Sequence, residues 1–568
     1  MSDTAAKRPP TRDRLRRALV SRPTFGGLAG AAVFWWQSLS PTLMPRTWVG
    51  QAAMTAICVA IGMGLGTLAG NLAQRGLRRF HRSPTAAQRA IAWRVFAALA
   101  VTALLAGMAL WLRWQNAQRK LVTLEPLPTL DVVPMVLLSV VLSAVLITLG
   151  RLVGRGIRRL FRLLDRYLPS WTATPVTMVL VVFVASFVLT NVAGPRLTSL
   201  ANTSFGTVDE DTSEGTEKAT SRYVSGGPES LVAWDSLGRH GRDFTAQATT
   251  QKELASFSSG DQEVMSPIRT YVGLRSAGNV EARAKLAVRE LERTGAFERE
   301  VLVVVTATGS GWIDPDAAVA LEQMHRGNSA IVSIQYSYLP SWIATLTEPA
   351  AAAASSSALF EAVHERWSEE PAAQRPQLVV FGLSLGSYGA EAAFAGVDAR
   401  ASIANLAART DGALLVGPTN GNLIWSQVTA ARDTGSPVWR PEYDGGKVVH
   451  FENRAPEVSA PDPDWKKPRV LYIQHPTDPV TFWSFDTVWS PPKWMDNPRG
   501  IGVPKQGRWF PVVTGVQGVF DLMSGFGAPP GFGHDYRLDY VAGWASVAPA
   551  EGWTAADTSA LETFLRAP

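Results

Sequence analysis

One cysteine, Cys58, in a chain of 568 residues excludes an intrachain disulfide and any multi-cysteine metal cluster. Histidine is scarce as well: there are seven, and none falls in an HExxH or HxH pattern. No zinc site and no other metal or cofactor is expected from such a set. Aspartate, glutamate and lysine are missing from the cores of the long apolar runs that fill the first 195 residues. Ion paths and proton relays are usually built from those residues, so a transporter is disfavoured. Internal repeats are absent, and so is any recognisable nucleic-acid motif. The net charge of +6 does not bring nucleic acid back as a partner. The basic residues sit in short clusters between apolar runs, which is the pattern of membrane topology.

Apolar sequence is what the chain has in plenty. Hydrophobic residues make up 46%, concentrated before residue 196. Five segments approach the roughly 20 apolar residues that cross a bilayer: 25–43, 49–72, 91–112, 132–150 and 175–192. The first carries Gln37, Ser38, Ser40 and Pro41, so a re-entrant or interfacial helix is its alternative. Arginine clusters alternate around them. The tail 1–23 holds Lys7, Arg8, Arg12, Arg14, Arg16, Arg17 and Arg22; Arg75, Arg78, Arg79, Arg82 and Arg89 follow the second segment; Arg151 to Arg166 follow the fourth. Basic loops stay in the cytoplasm. Residues 24–193 then form a multi-pass domain of the cytoplasmic membrane, with the lipid bilayer as partner. The N-terminus lies inside and, after five crossings, the remainder of the chain lies outside. Arginines at helical spacing over 151–168 suit either an amphipathic helix on the anionic inner leaflet or a solvated loop.

Residues 194–227, rich in Ser, Thr, Gly and acidic side chains, read as an exposed linker. From 228 to 568 short β-prone runs alternate with helical ones. Strands are expected at 268–272, 301–306, 330–336, 377–381 and 469–474, and helices at 280–294, 316–325, 350–367 and 555–566. Such alternation predicts a mostly parallel sheet covered by helices on both faces.

Gly382-Leu383-Ser384-Leu385-Gly386 matches G-x-S-x-G. Five glycine-containing residues are a weak signal by themselves. Here a β-run precedes them and a small-residue helix follows, the setting of a nucleophile elbow. A serine hydroxyl needs a base, and the base needs an orienting acid, in the chain order Ser, Asp or Glu, His. Asp478, just past the strand 469–474, is the expected acid, with Asp486 in reserve. His534, in the glycine-flanked loop Gly531-Phe532-Gly533-His534, is the expected base, with His475 as rival. The oxyanion calls for the backbone N–H of Leu385 and a second donor from the loop after 301–306, Thr308 or Gly309. Asp314 and Pro315 there are placed to start the next helix.

With these residues in order, the chain resembles the α/β-hydrolase superfamily. The stretches 230–239 (SLVAWDSLGR) and 336–342 (YSYLPSW), with the elbow, are similar to a subgroup of actinobacterial hydrolases that carry an N-terminal multi-pass membrane domain. The resemblance implies an α/β-hydrolase fold over 228–568 and a serine hydrolase, without naming a substrate. Esterase or lipase-like cleavage of lipids or acylated envelope components leads. Acyl transfer by the same triad and a non-catalytic scaffold or sensor are the alternatives. The aromatic, proline-broken stretch between Asp478 and His534 exceeds what a short connection needs; it is read either as ordinary core packing of the last strands and helices or, in part, as a lid over the site.

Overall fold

The computed structural model describes residues 23–566 apart from 80–84, 167–169, 188–189, 192–193, 259–262 and 454–464. The basic tail 1–23 therefore lies, save its last residue, outside the described residues. The chain forms two compact units. One comprises Met1–Pro195 with Ser484–Met495 and Gly502–Ser524; the other comprises Arg196–Trp483, Asp496–Ile501 and Gly525–Pro568. The catalytic half expected over 228–568 thus begins earlier and gives up two internal segments.

The first unit is helical: α1 (Phe25–Ser38), α2 (Trp48–Arg79), α3 (Ala86–Leu121), α4 (Val132–Leu164) and α5 (Ser170–Phe187). Among the described residues three stretches are long and apolar enough to cross a membrane, Trp48–Leu77, Ala86–Leu121 and Thr129–Leu164. Five had been expected. The first segment fails because its helix stops at Ser38, ahead of Ser40 and Pro41; fourteen residues span about 21 Å at 1.5 Å each, short of a core of about 30 Å. The fifth, 175–192, coincides with α5 only to Phe187, and 188–189 and 192 lie outside the described residues. Arg151 to Leu164 form no separate helix; they prolong α4 without a break.

Glycines set the pairing of α1 and α2. Gly26 and Gly30 on one helix, and Gly62, Gly66 and Gly70 on the other, recur every four residues and so share a face. A Cβ at Gly26 would stand 2.5 Å from the Gly66 carbonyl oxygen, and one at Gly30 would collide with that of Gly62. The two backbones touch, as small-residue faces allow. Gly26 faces Gly66 while Gly30 faces Gly62, so the helices run antiparallel.

A buried polar knot closes one end of this unit. Arg46, between α1 and α2, pairs with Asp521 of the helix Val513–Gly525 at 3.2 Å. Thr42 Oγ1 donates to the same carboxylate at 2.7 Å. Gln115 Oε1 accepts from the Arg46 N–H at 2.8 Å, and Gln118 Nε2 donates to Thr42 O at 2.6 Å. Met54, Cys58 and Val513 are buried beside it with Phe34, Phe510 and Phe520 around them. The long stretch after Asp478, read as core packing or as a lid, is therefore part of the helical unit over 484–495 and 502–524.

Among the described residues the second unit holds seven strands: β1 (Ile268–Val272), β2 (Val301–Thr306), β3 (Ser329–Ile334), β4 (Gln377–Leu383), β5 (Gly412–Val416), β6 (Val449–Glu452) and β7 (Arg469–Ile473). Their order is β1-β3-β2-β4-β5-β7-β6, and every pairing is parallel. The central runs VLVVVT and QLVVFGL are nearly wholly buried, as parallel strands covered on both faces must be. Before the sheet comes α6 (Gly194–Glu210); then follow α7 (Val280–Thr294), α8 (Pro315–Met324), α9 (Pro349–Glu369), α10 (Leu385–Ala392), α11 (Tyr540–Val547) and α12 (Ala555–Arg566). α7, α9 and α10 pack in one layer, α8, α11 and α12 in another.

Residues 194–227 depart from the exposed linker expected. Their first half is α6, whose Ala201 and Phe205, one turn apart, pack on Tyr336, Leu339 and Leu385. Val224 and Ser225 are buried along β1, with Ser225 N–H donating to Arg269 O at 3.0 Å and Arg269 N–H to Tyr223 O at 3.2 Å.

Candidate active site

Strand register assembles the site. Thr306 lies opposite Gly382, Leu383 opposite Val416, and Val416 opposite Ile473. The loops that leave β2, β4, β5 and β7 consequently open on one carboxyl edge, where ligands of open α/β sheets bind.

At that edge β4 turns straight into α10 through Ser384, whose φ of 57° and ψ of −124° few residues other than glycine adopt. The flanking glycines make the turn possible. A Cβ at Gly382 would strike the Gly386 carbonyl, and one at Gly386 would strike Thr306 O. Ser384 N–H donates to Val416 O at 2.9 Å, and Ser384 O accepts from Ser387 Oγ at 2.7 Å, so the bend is held on both sides. Thr308 Oγ1 donates to Leu383 O at 2.7 Å and ties the neighbouring loop to the same turn.

Asp478 is fully buried just past β7. Its Oδ1 accepts from Val480 N–H at 2.8 Å and caps the short helix Pro479–Phe482. Its Oδ2 accepts from His534 Nδ1 at 2.7 Å. Gly417 leaves room for that imidazole: its φ is +51°, and a Cβ there would stand 2.8 Å from His534 Cε1. Phe526 meets the ring edge-on at 5.2 Å. His534 Nε2 is buried and has no hydrogen-bond partner among the described residues. Ser384 and His534 line one cleft of about 530 Å³, together with Trp312, Asp314, Ser341 and Phe526. Ser384, Asp478 and His534 are thus brought together in space from three separate loops.

The model of a family described as Alpha/beta-hydrolase family matches residues 268–561. The chain belongs to the α/β-hydrolase family. The model of that family's N-terminal region matches residues 39–248, a stretch that includes the apolar helices. No curated protein and no solved structure matches the chain.

In this α/β-hydrolase the other expected residues fall out unevenly. Leu385 is the first residue of α10, a position whose N–H has no intrahelical partner. Thr308 and Gly309 differ from expectation as donors. The loop after β2 folds back on itself through a bridge between Thr308 and Trp312. Thr308 N–H donates to Trp312 O at 2.8 Å, and Gly309 N–H donates to Tyr336 Oη at 2.8 Å, so both are engaged within the loop. Asp486, the reserve acid, lies exposed in the segment 484–495 of the helical unit. His475, the rival base, is buried behind the site: Nδ1 donates to Gly533 O at 3.0 Å, and Nε2 lies 3.0 Å from Asp539 Oδ2.

Two residues, Tyr536 and Glu391, escaped the sequence reading, and a third, Asp314, was read only as a helix cap. Tyr536 Oη donates to Asp478 Oδ2 at 2.7 Å and accepts from His475 N–H at 3.0 Å, and its ring stacks on His475 at 4.0 Å. Asp314 caps α8 as its position suggested, but it also lines the cleft, and burial pushes its carboxyl up to about 6 despite a 2.7 Å hydrogen bond from Tyr540. Glu391 on α10 accepts from Tyr472 Oη at 2.8 Å and Ile424 N–H at 2.7 Å, and burial pushes it up to about 7. A tyrosine two residues beyond the histidine, an acid at a helix start and another inside a helix carry no local mark of these tasks.

Proposed function

We propose that this protein is a membrane-anchored serine hydrolase that cleaves carboxylic esters of lipids or of acylated envelope components. One observation carries the reading: the His534–Asp478 contact of 2.7 Å leaves His534 Nε2 without a partner among the described residues, in the cleft that Ser384 lines from its strained turn. His534 Nε2 takes the Ser384 Oγ proton as Oγ adds to the ester carbonyl. The C–O bond to the alcohol then breaks, and the proton passes from His534 to the departing alkoxide. Water, deprotonated by the same nitrogen, frees the acid and restores Ser384. Asp478 holds the ring with Nε2 toward serine, and Leu385 N–H steadies the oxyanion.

The full chain in nanodiscs tests this with p-nitrophenyl acetate and a fluorophosphonate probe. Ser384→Ala and His534→Ala are expected to lose at least about a thousandfold in kcat at unchanged melting temperature, and Ser384→Ala to lose labelling. Near-normal turnover by Ser384→Ala sinks the assignment.

The outer side of the membrane is the proposed location of the catalytic unit. The Arg75–Arg79 and Arg151–Arg162 clusters sit at the far ends of α2 and α4 from the Arg46–Asp521 knot. Basic ends stay inside.

A further inference from the structure

Two of the stretches that carried the resemblance, 230–239 and 336–342, supply residues to a place other than the cleft that Ser384 lines. They meet at a different point. Asp209, at the end of α6, is buried, and its Oδ1 accepts from Arg239 N–H and from Gln335 Nε2, each at 3.1 Å. Gly238 must be glycine for this, since a Cβ there would stand 2.6 Å from the carboxylate. Asp209 Oδ2 accepts no hydrogen bond among the described residues and lies 3.5 Å from the Arg275 guanidinium.

Around Asp209 opens a second cavity of about 500 Å³. That is within the roughly 300–1,000 Å³ of ligand pockets. It shares Trp312 and Pro315 with the cleft that Ser384 lines. Two kinds of side chain face it. Phe205, Phe244, Trp312 and Tyr338 offer rings; Asp209, Arg239, His240, Asp243 and Gln247 offer donors and acceptors. Charge nearly cancels. Arg269 is neutralised by Glu322 at 2.6 Å and Asp209 lies 3.5 Å from Arg275, which leaves one carboxylate, Asp243, and one guanidinium, Arg239, both hydrogen-bonded to Ser213. An ion finds no excess of opposite charge here, and a plain acyl chain would strip the polar groups of water without replacing their hydrogen bonds. A neutral polyol with C–H faces for the rings and hydroxyls for the polar groups satisfies both.

We infer that this cavity binds a hexopyranose sugar, with Trp312 between the sugar and the reacting ester. The inference rests on the hydrolase reading for what the bound sugar is used for: it is either the sugar of the ester substrate or a free sugar that takes the acyl group in place of water. In that second case the sugar hydroxyl attacks the acyl carbonyl as its proton goes to His534, and the C–O bond to Ser384 then breaks as His534 returns that proton to Ser384 Oγ.

The full chain in nanodiscs provides the test, with Arg239→Gln and Tyr338→Ala as variants. Maltose is the binding probe, read by saturation-transfer NMR on the Ser384→Ala protein. Glucose pentaacetate and p-nitrophenyl acetate are the two esters. Saturation of maltose is expected, and its loss in both variants. KM for glucose pentaacetate is expected to rise about tenfold in the variants, with p-nitrophenyl acetate turnover unchanged. Competitive inhibition by maltose marks the sugar of the substrate; acetylated maltose in the product marks an acceptor. No saturation of maltose, or equal losses on both esters, overturns the sugar site. If the wild type cleaves neither ester, the hydrolase reading falls while the maltose arm still decides the cavity.

Discussion

Asp478 divides its two oxygens between two tasks. Oδ1 caps a helix, which fixes the carboxylate in place, and Oδ2 accepts from His534 and Tyr536 at 2.7 Å each and from Thr481 Oγ1 at 3.3 Å. The hydroxyl of Tyr536 also receives the His475 N–H, so the donor that shares Oδ2 with His534 is itself fixed by the backbone. Tyr536→Phe is expected to lower kcat about tenfold with KM unchanged, as loss of one hydrogen bond to a charged group implies. The ring stack on His475 persists in that variant, so its melting temperature is expected to stay within a few degrees of the parent. A large drop in stability with kcat per folded molecule intact would make Tyr536 a packing residue alone. Ser384, Asp478 and His534 were legible because each sits in a short local pattern: an elbow, a strand end followed by proline, a glycine-flanked loop. Tyr536, Asp314 and Glu391 were not, because their partners come from elsewhere in the chain and leave no trace in their own neighbourhoods. The freedom of Thr308 and Gly309 was misread for the same reason. Glycine announces a tight loop, but not that the loop has used its own N–H groups.

Among the elements, buried strands were the easiest to read. VLVVVT and QLVVFG are unbroken β-prone runs, and they set the sheet. GALLV and VHFE were passed over: the first is short and opens on glycine, and the second alternates with charge at the sheet's edge. α6 was hidden by composition, since Ser, Thr, Gly and Asn outnumber the few apolar residues that dock it. The count of apolar helices erred in the other direction, because hydropathy ignores where a helix stops. The α1–α2 pair gives a sharp test. A side chain at Gly66 has nowhere to go but the backbone of α1, whereas a Cβ at Gly64 meets nothing within 4 Å. Gly66→Leu is expected to cost about 1–3 kcal/mol, the range for overpacking, and to lower the melting temperature of the full chain in detergent. Gly64→Leu, on the same helix, is expected to be neutral. Equal behaviour of the two variants would show that α1 does not pack on that face.

For the whole molecule, the side of the membrane is the quantity to measure. A tag following residue 566 is expected to be cleaved by external protease in spheroplasts, and one placed before Thr24 to be protected. A protected C-terminal tag would put the catalytic unit inside and overturn the proposed location. The same knot that bears on this question also sets an order of events. A ribosome delivers the apolar helices hundreds of residues before Asp521, and the N-terminal part of a chain ordinarily folds first. Arg46 then waits, buried or about to be, without its counter-charge, a situation that costs about 3–5 kcal/mol once a native pair is broken. The helical unit is therefore finished late, by a segment threaded out of the catalytic unit and back. A catalytic unit cut free at residue 195 would carry that segment with no surface to receive it, so the two halves mature together or not at all.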